Sequence, residues 1–132
     1  LLEKDKIYAY QTLTDDELLV YERIYNILAE RVPRPDFVIY LQISVKTLIK
    51  RIDHEGQPLE RKISEKYLED LVEAYDYFFF NYKGAPLLVV KADDLDLSQE
   101  DQAWDLIDQI RKLNKGTLYY VPESFQAKKT KR

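Results

Sequence analysis

The charged stretch Arg51-Ile-Asp-His-Glu-Gly-Gln-Pro-Leu-Glu-Arg-Lys62 holds the residues most able to do chemistry. Arg51, His54, Glu55, Glu60 and Arg61 all fall within it. An arginine beside a phosphate makes strong, bidentate hydrogen bonds. A glutamate such as Glu60 can accept a hydrogen bond from a sugar hydroxyl. The same side chains also suit a solvated helix end and turn, because exposed charges contribute little by themselves. His54 is the single histidine. It cannot form a histidine-rich metal site, and no nucleophile is marked beside it, so it reads as a solvated turn residue. Asp93, Asp94 and Asp96 form an acidic run, but it lacks the glycine and the final glutamate of a calcium loop. Phe78-Phe79-Phe80 carries no interleaved Arg or Lys. It therefore reads as core or subunit contact and not as a base-stacking platform.

These residues need elements to hold them. Phe37 to Ile43 (FVIYLQI) is a continuous apolar, β-branched-rich run, the pattern of a central parallel strand. Ser44 can cap a following helix whose buried face is Val45, Leu48, Ile49 and Ile52, with Arg51 at its end. Residues Asp53 to Lys62 then form a polar surface turn around Gly56 and Pro58. A long helix runs from Ile63, with Leu68, Leu71, Val72, Tyr75, Phe79 and Tyr82 on one face, and Gly84 ends it. Pro86 opens a second strand, LLVVKA. Asp93 to Leu97 form the loop at its carboxyl end, where open α/β sheets bind ligands. Ser98, with Asp101 three residues on, caps a last helix buried through Ala103, Leu106, Ile107 and Ile110.

Upstream, Leu1 to Leu13 are mixed polar and aromatic, with Tyr8 and Tyr10 placed to dock on the core. Thr14-Asp15-Asp16-Glu17 is a capping box that opens a helix. Its core-facing stripe is Val20, Tyr21, Ile24, Ile27 and Leu28; Leu18, Leu19 and Tyr25 widen it enough for a partner subunit to cover a second side. Pro33 and Pro35 stop this helix near Arg31. Downstream, Thr117 to Val121 (TLYYV) reads either as a short edge strand or as a packed tail. Alternation of helix and strand implies an α/β layer fold with parallel strands. Two firm strands are few, since a sheet commonly has about four to six. The others are absent from this chain or are supplied by another segment or subunit. The expected division is one α/β domain, 1–125, and a basic tail, 126–132.

The length of 132 residues fits one domain. Apolar residues are 45% and charged residues 33%, a globular balance rather than a disordered one. The net charge of −4 argues against broad electrostatic binding to nucleic acid. With no cysteine there are no disulfides or thiolate metal sites. No run approaches the ~20 apolar residues of a membrane span, and the N-terminus has no signal-peptide pattern. A cytoplasmic protein is expected. The absence of any methionine hints that the chain begins inside a longer reading frame.

The segments PDFVIYLQISVKTLIKRI, GQPLERKIS, YLEDLVEAYDYFFFNY and PLLVVKADDLD, in this order, resemble the C-terminal half of the deoxynucleoside kinase family. The preceding EKDKIYAYQTLTDDELLVYERIYNIL resembles the segment that bacterial members carry before this strand. The resemblance covers roughly residues 3 to 113. It implies a partial P-loop-kinase-like parallel sheet flanked by helices. It also implies transfer of the γ-phosphoryl of ATP, with Mg²⁺, to the 5′-hydroxyl of a deoxynucleoside in the complete enzyme. By the same resemblance Arg51 is a phosphate-contacting catalytic residue at the base of a lid. Glu60 meets the sugar 3′-hydroxyl. Leu95, Asp96 and Leu97 lie near the ATP adenine, and the helix Thr14 to Glu30 belongs to a dimerising layer.

Two departures stand against that implication. The family's lid reads R-G-R-x-x-E, whereas Glu55 and Gln57 flank the glycine here. Arg61 and Lys62 are out of register for a direct swap. The phosphate loop GxxxxGK(S/T), the Glu-Arg pair that activates the 5′-hydroxyl and the base-reading side chain are all missing from these residues. The chain alone is therefore expected to be inactive. The rival reading is a non-catalytic remnant that serves as a protein-interaction or oligomerisation module.

Overall fold

A computed structural model describes residues 1–122. The basic tail expected at 126–132 lies outside the described residues. Three strands form one parallel sheet in the order β1-β2-β3: β1 (Val38–Gln42), β2 (Leu87–Lys91) and β3 (Thr117–Tyr120). Val38 pairs with Leu87, and Leu87 with Thr117. The α/β class and the parallel pairing are as the alternation implies, and TLYYV is the edge strand of the two readings.

The burial of the strands reverses one expectation. Leu87 to Val90 are buried throughout, so β2 is the strand covered on both faces. β1 was expected at the centre, yet among the described residues it has a neighbour on one side only, and Leu41 is 52% exposed.

The described residues form five α-helices: α1 (Asp5–Thr12), α2 (Asp15–Ala29), α3 (Val45–Glu55), α4 (Glu65–Phe80) and α5 (Glu100–Lys112). On one face Val38, Tyr40, Leu87 and Val89 pack with Ile7 of α1 and Phe79 of α4. The Tyr40 and Phe79 rings stack there at 4.3 Å between centroids. On the other face Leu88, Val90 and Tyr120 pack with Leu106 of α5. Alternate residues of each strand serve opposite faces, which is the two-residue period of a pleated strand.

The N-terminal thirteen residues are more ordered than their composition suggests. They form a 3-10 turn and α1; Ile7 and Ala9 are buried, Tyr8 stays partly exposed but meets Tyr75 at the core edge through its ring and hydroxyl, and Tyr10 is exposed. The Thr14 capping box is formed in both directions: Glu17 N–H donates to Thr14 Oγ1 at 3.4 Å, and Thr14 N–H to Glu17 Oε2 at 2.8 Å. Of the expected core stripe of α2, Tyr21 alone turns inward, and the aliphatic residues point away. Val20 is 60% and Ile27 62% exposed, with Leu19, Ile24 and Leu28 exposed beside them, and only Tyr25 is buried. The physical reason lies in α1. Tyr21 Oη donates to Asp5 Oδ2 at 2.8 Å, and Lys6 Nζ lies 4.3 Å from the Tyr25 ring centroid. These contacts turn the tyrosine side of α2 inward.

Other boundaries shift by local chemistry. α3 continues past Arg51 to Glu55, because nothing breaks it before Gly56. A side-chain carbon at Gly56 would lie 2.4 Å from the Ile52 carbonyl oxygen. α4 begins after Ser64, whose hydroxyl accepts from Tyr67 N–H at 3.2 Å, and it ends at Phe80 rather than at Gly84. Tyr82 therefore lies beyond the helix. α5 begins after Gln99 with no side-chain cap, since the Ser98 hydroxyl is engaged with Asp96 instead. Leu106 is buried as expected, but Ile107 is exposed. Among the described residues no helix is long and apolar enough to cross a membrane.

Candidate functional site

Parallel strands bring the carboxyl ends of β1 and β2 side by side, and most of the polar side chains of interest gather there. Ala92 N–H donates to Gln42 O at 2.8 Å and continues the ladder past both strands. Arg51 reaches across from α3, and its Nη2 donates to the Ala92 carbonyl at 3.1 Å. One N–H of the guanidinium is thus spent on the protein, while the planar fork has several more to offer.

Glu60 is in a different position. It is exposed in the 3-10 turn Glu60–Lys62. Its Oε2 accepts from Gln57 N–H at 2.8 Å, and its own N–H donates to Gln57 O at 2.9 Å. The side chain closes its own loop, and nothing brings it into contact with Arg51. Leu95 packs against the α5 face of the core, whereas Leu97 is exposed. The Asp96 carboxylate accepts from Ser98 Oγ at 2.6 Å and Ser98 N–H at 3.0 Å, and those bonds hold its pKa below the ordinary aspartate value. His54 is exposed on the last turn of α3. Of the phenylalanine block, Phe79 is core, Phe78 half-buried and Phe80 exposed.

Two carboxylates escaped sequence reasoning. Asp93 Oδ1 accepts three donors: Ser44 N–H at 3.1 Å, Ser44 Oγ, and Thr47 Oγ1 at 2.6 Å. It joins the start of α3 to the end of β2. An Asp just after one parallel strand and a Ser-x-x-Thr just after its neighbour was the available signal. The second is Asp76 of α4. Its Oδ1 accepts from Tyr40 Oη at 2.6 Å and Gln42 Nε2 at 3.1 Å. Burial, with this hydrogen bond, holds the Tyr40 phenol above its ordinary pKa. Tyr40, Gln42 and Asp76 line a broad groove of about 1260 Å³ beside α4, which Arg51 and Glu60 do not line.

A sequence profile described as deoxynucleoside kinase matches residues 4–115. The chain belongs to the deoxynucleoside kinase family. Its resemblance to the deoxyguanosine kinase of Bacillus subtilis is 41% identity over 73 residues, 55% of this chain and 35% of that protein. The deoxyguanosine kinase of Lactobacillus acidophilus is 32% identical over 99 residues, 68% of this chain and 43% of that protein. The deoxyadenosine/deoxycytidine kinase of B. subtilis is 29% identical over 79 residues, covering 59% and 36%. The chain thus spans between 35% and 43% of these three relatives' lengths. No solved structure matches it. Within the family frame, the three-stranded parallel sheet with helices on both faces is a partial kinase-like fold.

Proposed function

We propose that this chain is the C-terminal portion of a deoxynucleoside kinase-like transferase. In the complete enzyme it would serve ATP-dependent phosphoryl transfer to the 5′-hydroxyl of a deoxynucleoside. The single observation that carries this reading is the seat of Arg51 at the adjoining carboxyl ends of β1 and β2. In that transfer the bond from the γ-phosphorus to the bridging oxygen of ADP breaks. A new bond forms to the 5′-oxygen, whose proton leaves to a base that these residues do not supply. Positioning and charge neutralisation dominate such a step. Arg51 has the donors for a phosphoryl oxygen while one N–H keeps it on Ala92. Glu60 would exchange the Gln57 N–H for the sugar 3′-hydroxyl, and Leu95, Asp96 and Leu97 would border the adenine.

The fit to the cofactors is uneven. Arg51 suits an ATP phosphate. For Mg²⁺ the described residues offer no converging group of three or more acidic or histidine side chains, and the ion is commonly held by one or two carboxylates with the substrate phosphates. The metal would be held by the segment that carries the phosphate loop. The remaining parts of the reading are a cytoplasmic setting and a homodimer formed through the exposed stripe of α2.

A second reading has specific support. Glu55 and Gln57 replace the lid arginines, and α2 exposes Val20, Ile24, Ile27 and Leu28. A remnant that only associates with a partner would show both features. A thermal melt with ATP-Mg²⁺ and with each deoxynucleoside, run beside a phosphoryl-transfer assay, separates the two once the chain is supplied with a phosphate-loop segment. Ligand raises the melting temperature of a protein that binds it in the folded state. A shift with turnover supports the kinase reading. A cooperative melt with neither shift nor turnover supports the interaction module.

A further inference from the structure

The helix that carries Arg51 is joined to the end of β2 at two points. At its first turn, Thr47 Oγ1 and the Ser44 N–H and hydroxyl donate to the Asp93 carboxylate. One turn further on, Arg51 Nη2 donates to the carbonyl of Ala92, the residue just before Asp93. Thr47 and Arg51 are four residues apart, so they share one side of α3 about 6 Å apart along its axis. Ala92 is 5% exposed, and its N–H donates to Gln42 O, so the acceptor that meets Arg51 is tied into the strand ladder. What remains adjustable is the helix. A single oxygen of Asp93 gathers its cap hydroxyl, its first free N–H and its Thr47 hydroxyl, and thereby sets its height and rotation over β2.

We propose that Asp93 is a positioning residue for Arg51, fixing α3 against the end of β2 so that the guanidinium stands over the strand ends. The proposal rests on Arg51 being the phosphate-binding side chain, but the geometry it describes is testable without substrate. Asp93 touches no ligand in this scheme; it acts through Thr47 and the helix.

The test uses the full chain labelled at arginine nitrogen. NMR reports the rotation rate of the Arg51 guanidinium in the parent, in Thr47→Val and in Asp93→Asn, with Arg23 and Arg34 as internal references. Thr47→Val keeps the shape and removes one donor, so it remains informative if Asp93→Asn fails to fold. All measurements are made well below each variant's melting transition. Arg51 is expected to rotate about fivefold faster in both folded variants, the scale set by losing one hydrogen bond, while Arg23 and Arg34 are unchanged. A general loss of stability would not single out Arg51. If Arg51 rotates as slowly in Thr47→Val as in the parent, or if all three arginines speed up together, the proposal is overturned. Failure of the phosphate reading would look different: a changed Arg51 signal in these variants together with unaltered turnover on Arg51→Ala in the completed enzyme.

Discussion

Burial alone would raise the Asp93 carboxyl, but the hydrogen bonds from Ser44 and Thr47 outweigh it, with help from Lys91, and hold the group below its ordinary value. A carboxyl depressed in the folded state contributes stability that is present above its unfolded pKa of about 3.9. That contribution is lost as the pH falls through the folded value. The parent is therefore expected to lose stability more steeply on acidification below about pH 4 than Asp93→Asn does. Urea melts at stepped pH check this, and parallel curves for the two proteins would refute it. Glu60 makes a separate prediction. If its carboxylate leaves the Gln57 N–H for the sugar 3′-hydroxyl, as proposed, Glu60→Ala in a completed enzyme should weaken discrimination at that hydroxyl. Kinetics with normal and 2′,3′-dideoxy substrates read this out. The normal substrate should lose more than the dideoxy one, and equal losses would remove the contact.

Among the elements, α2 carries the clearest consequence. Its aliphatic residues Val20, Ile24, Ile27 and Leu28 are exposed, and the homodimer proposed above would form through them. If two chains associate there, Ile24→Lys should shift sedimentation from dimer to monomer while leaving the melting transition of the monomer nearly unchanged, since exposed substitutions usually fall within about 0.5 kcal/mol. A parent that sediments as a monomer at high concentration would contradict the α2 dimer. This helix also shows what could be read in advance. The Thr14 capping box was legible because it is a local signal, complete within four residues. Periodicity grouped Val20, Ile24, Ile27 and Leu28 on one side but wrongly placed Tyr21 with them, and it does not say which side faces the protein. That choice is made by Asp5 and Lys6, which hold Tyr21 and Tyr25, and these contacts come from a helix whose weak apolar pattern hid it. The strands were legible for a similar reason to the cap: apart from Gln42 and Lys91, FVIYLQI and LLVVKA are runs of apolar and aromatic residues. The Asp93 junction was not, because it joins residues more than forty positions apart and exists only once two strands lie side by side. The Arg51 seat shares that origin. The sequence marks the arginine, but only the fold supplies Ala92 as its anchor.

At the scale of the molecule, β2 has a strand on each flank, while among the described residues β1 and β3 each pair on one side only, and Leu41 of β1 is exposed. An open, apolar edge is a template for another strand, which agrees with a chain that covers 35% of one relative and 43% of another. On the kinase proposal, these residues supply the Arg51 end of a phosphoryl-transfer site once a phosphate-loop segment completes the sheet. The most direct measurement is turnover by a chimera in which this chain replaces the matched portion of the B. subtilis deoxyguanosine kinase, with Arg51 intact or changed to alanine. The account expects ATP-dependent phosphorylation of a deoxynucleoside that falls by about 10²–10³-fold on Arg51→Ala, with the melting transition little changed. A folded chimera that does not turn over, or one indifferent to Arg51→Ala, would contradict it.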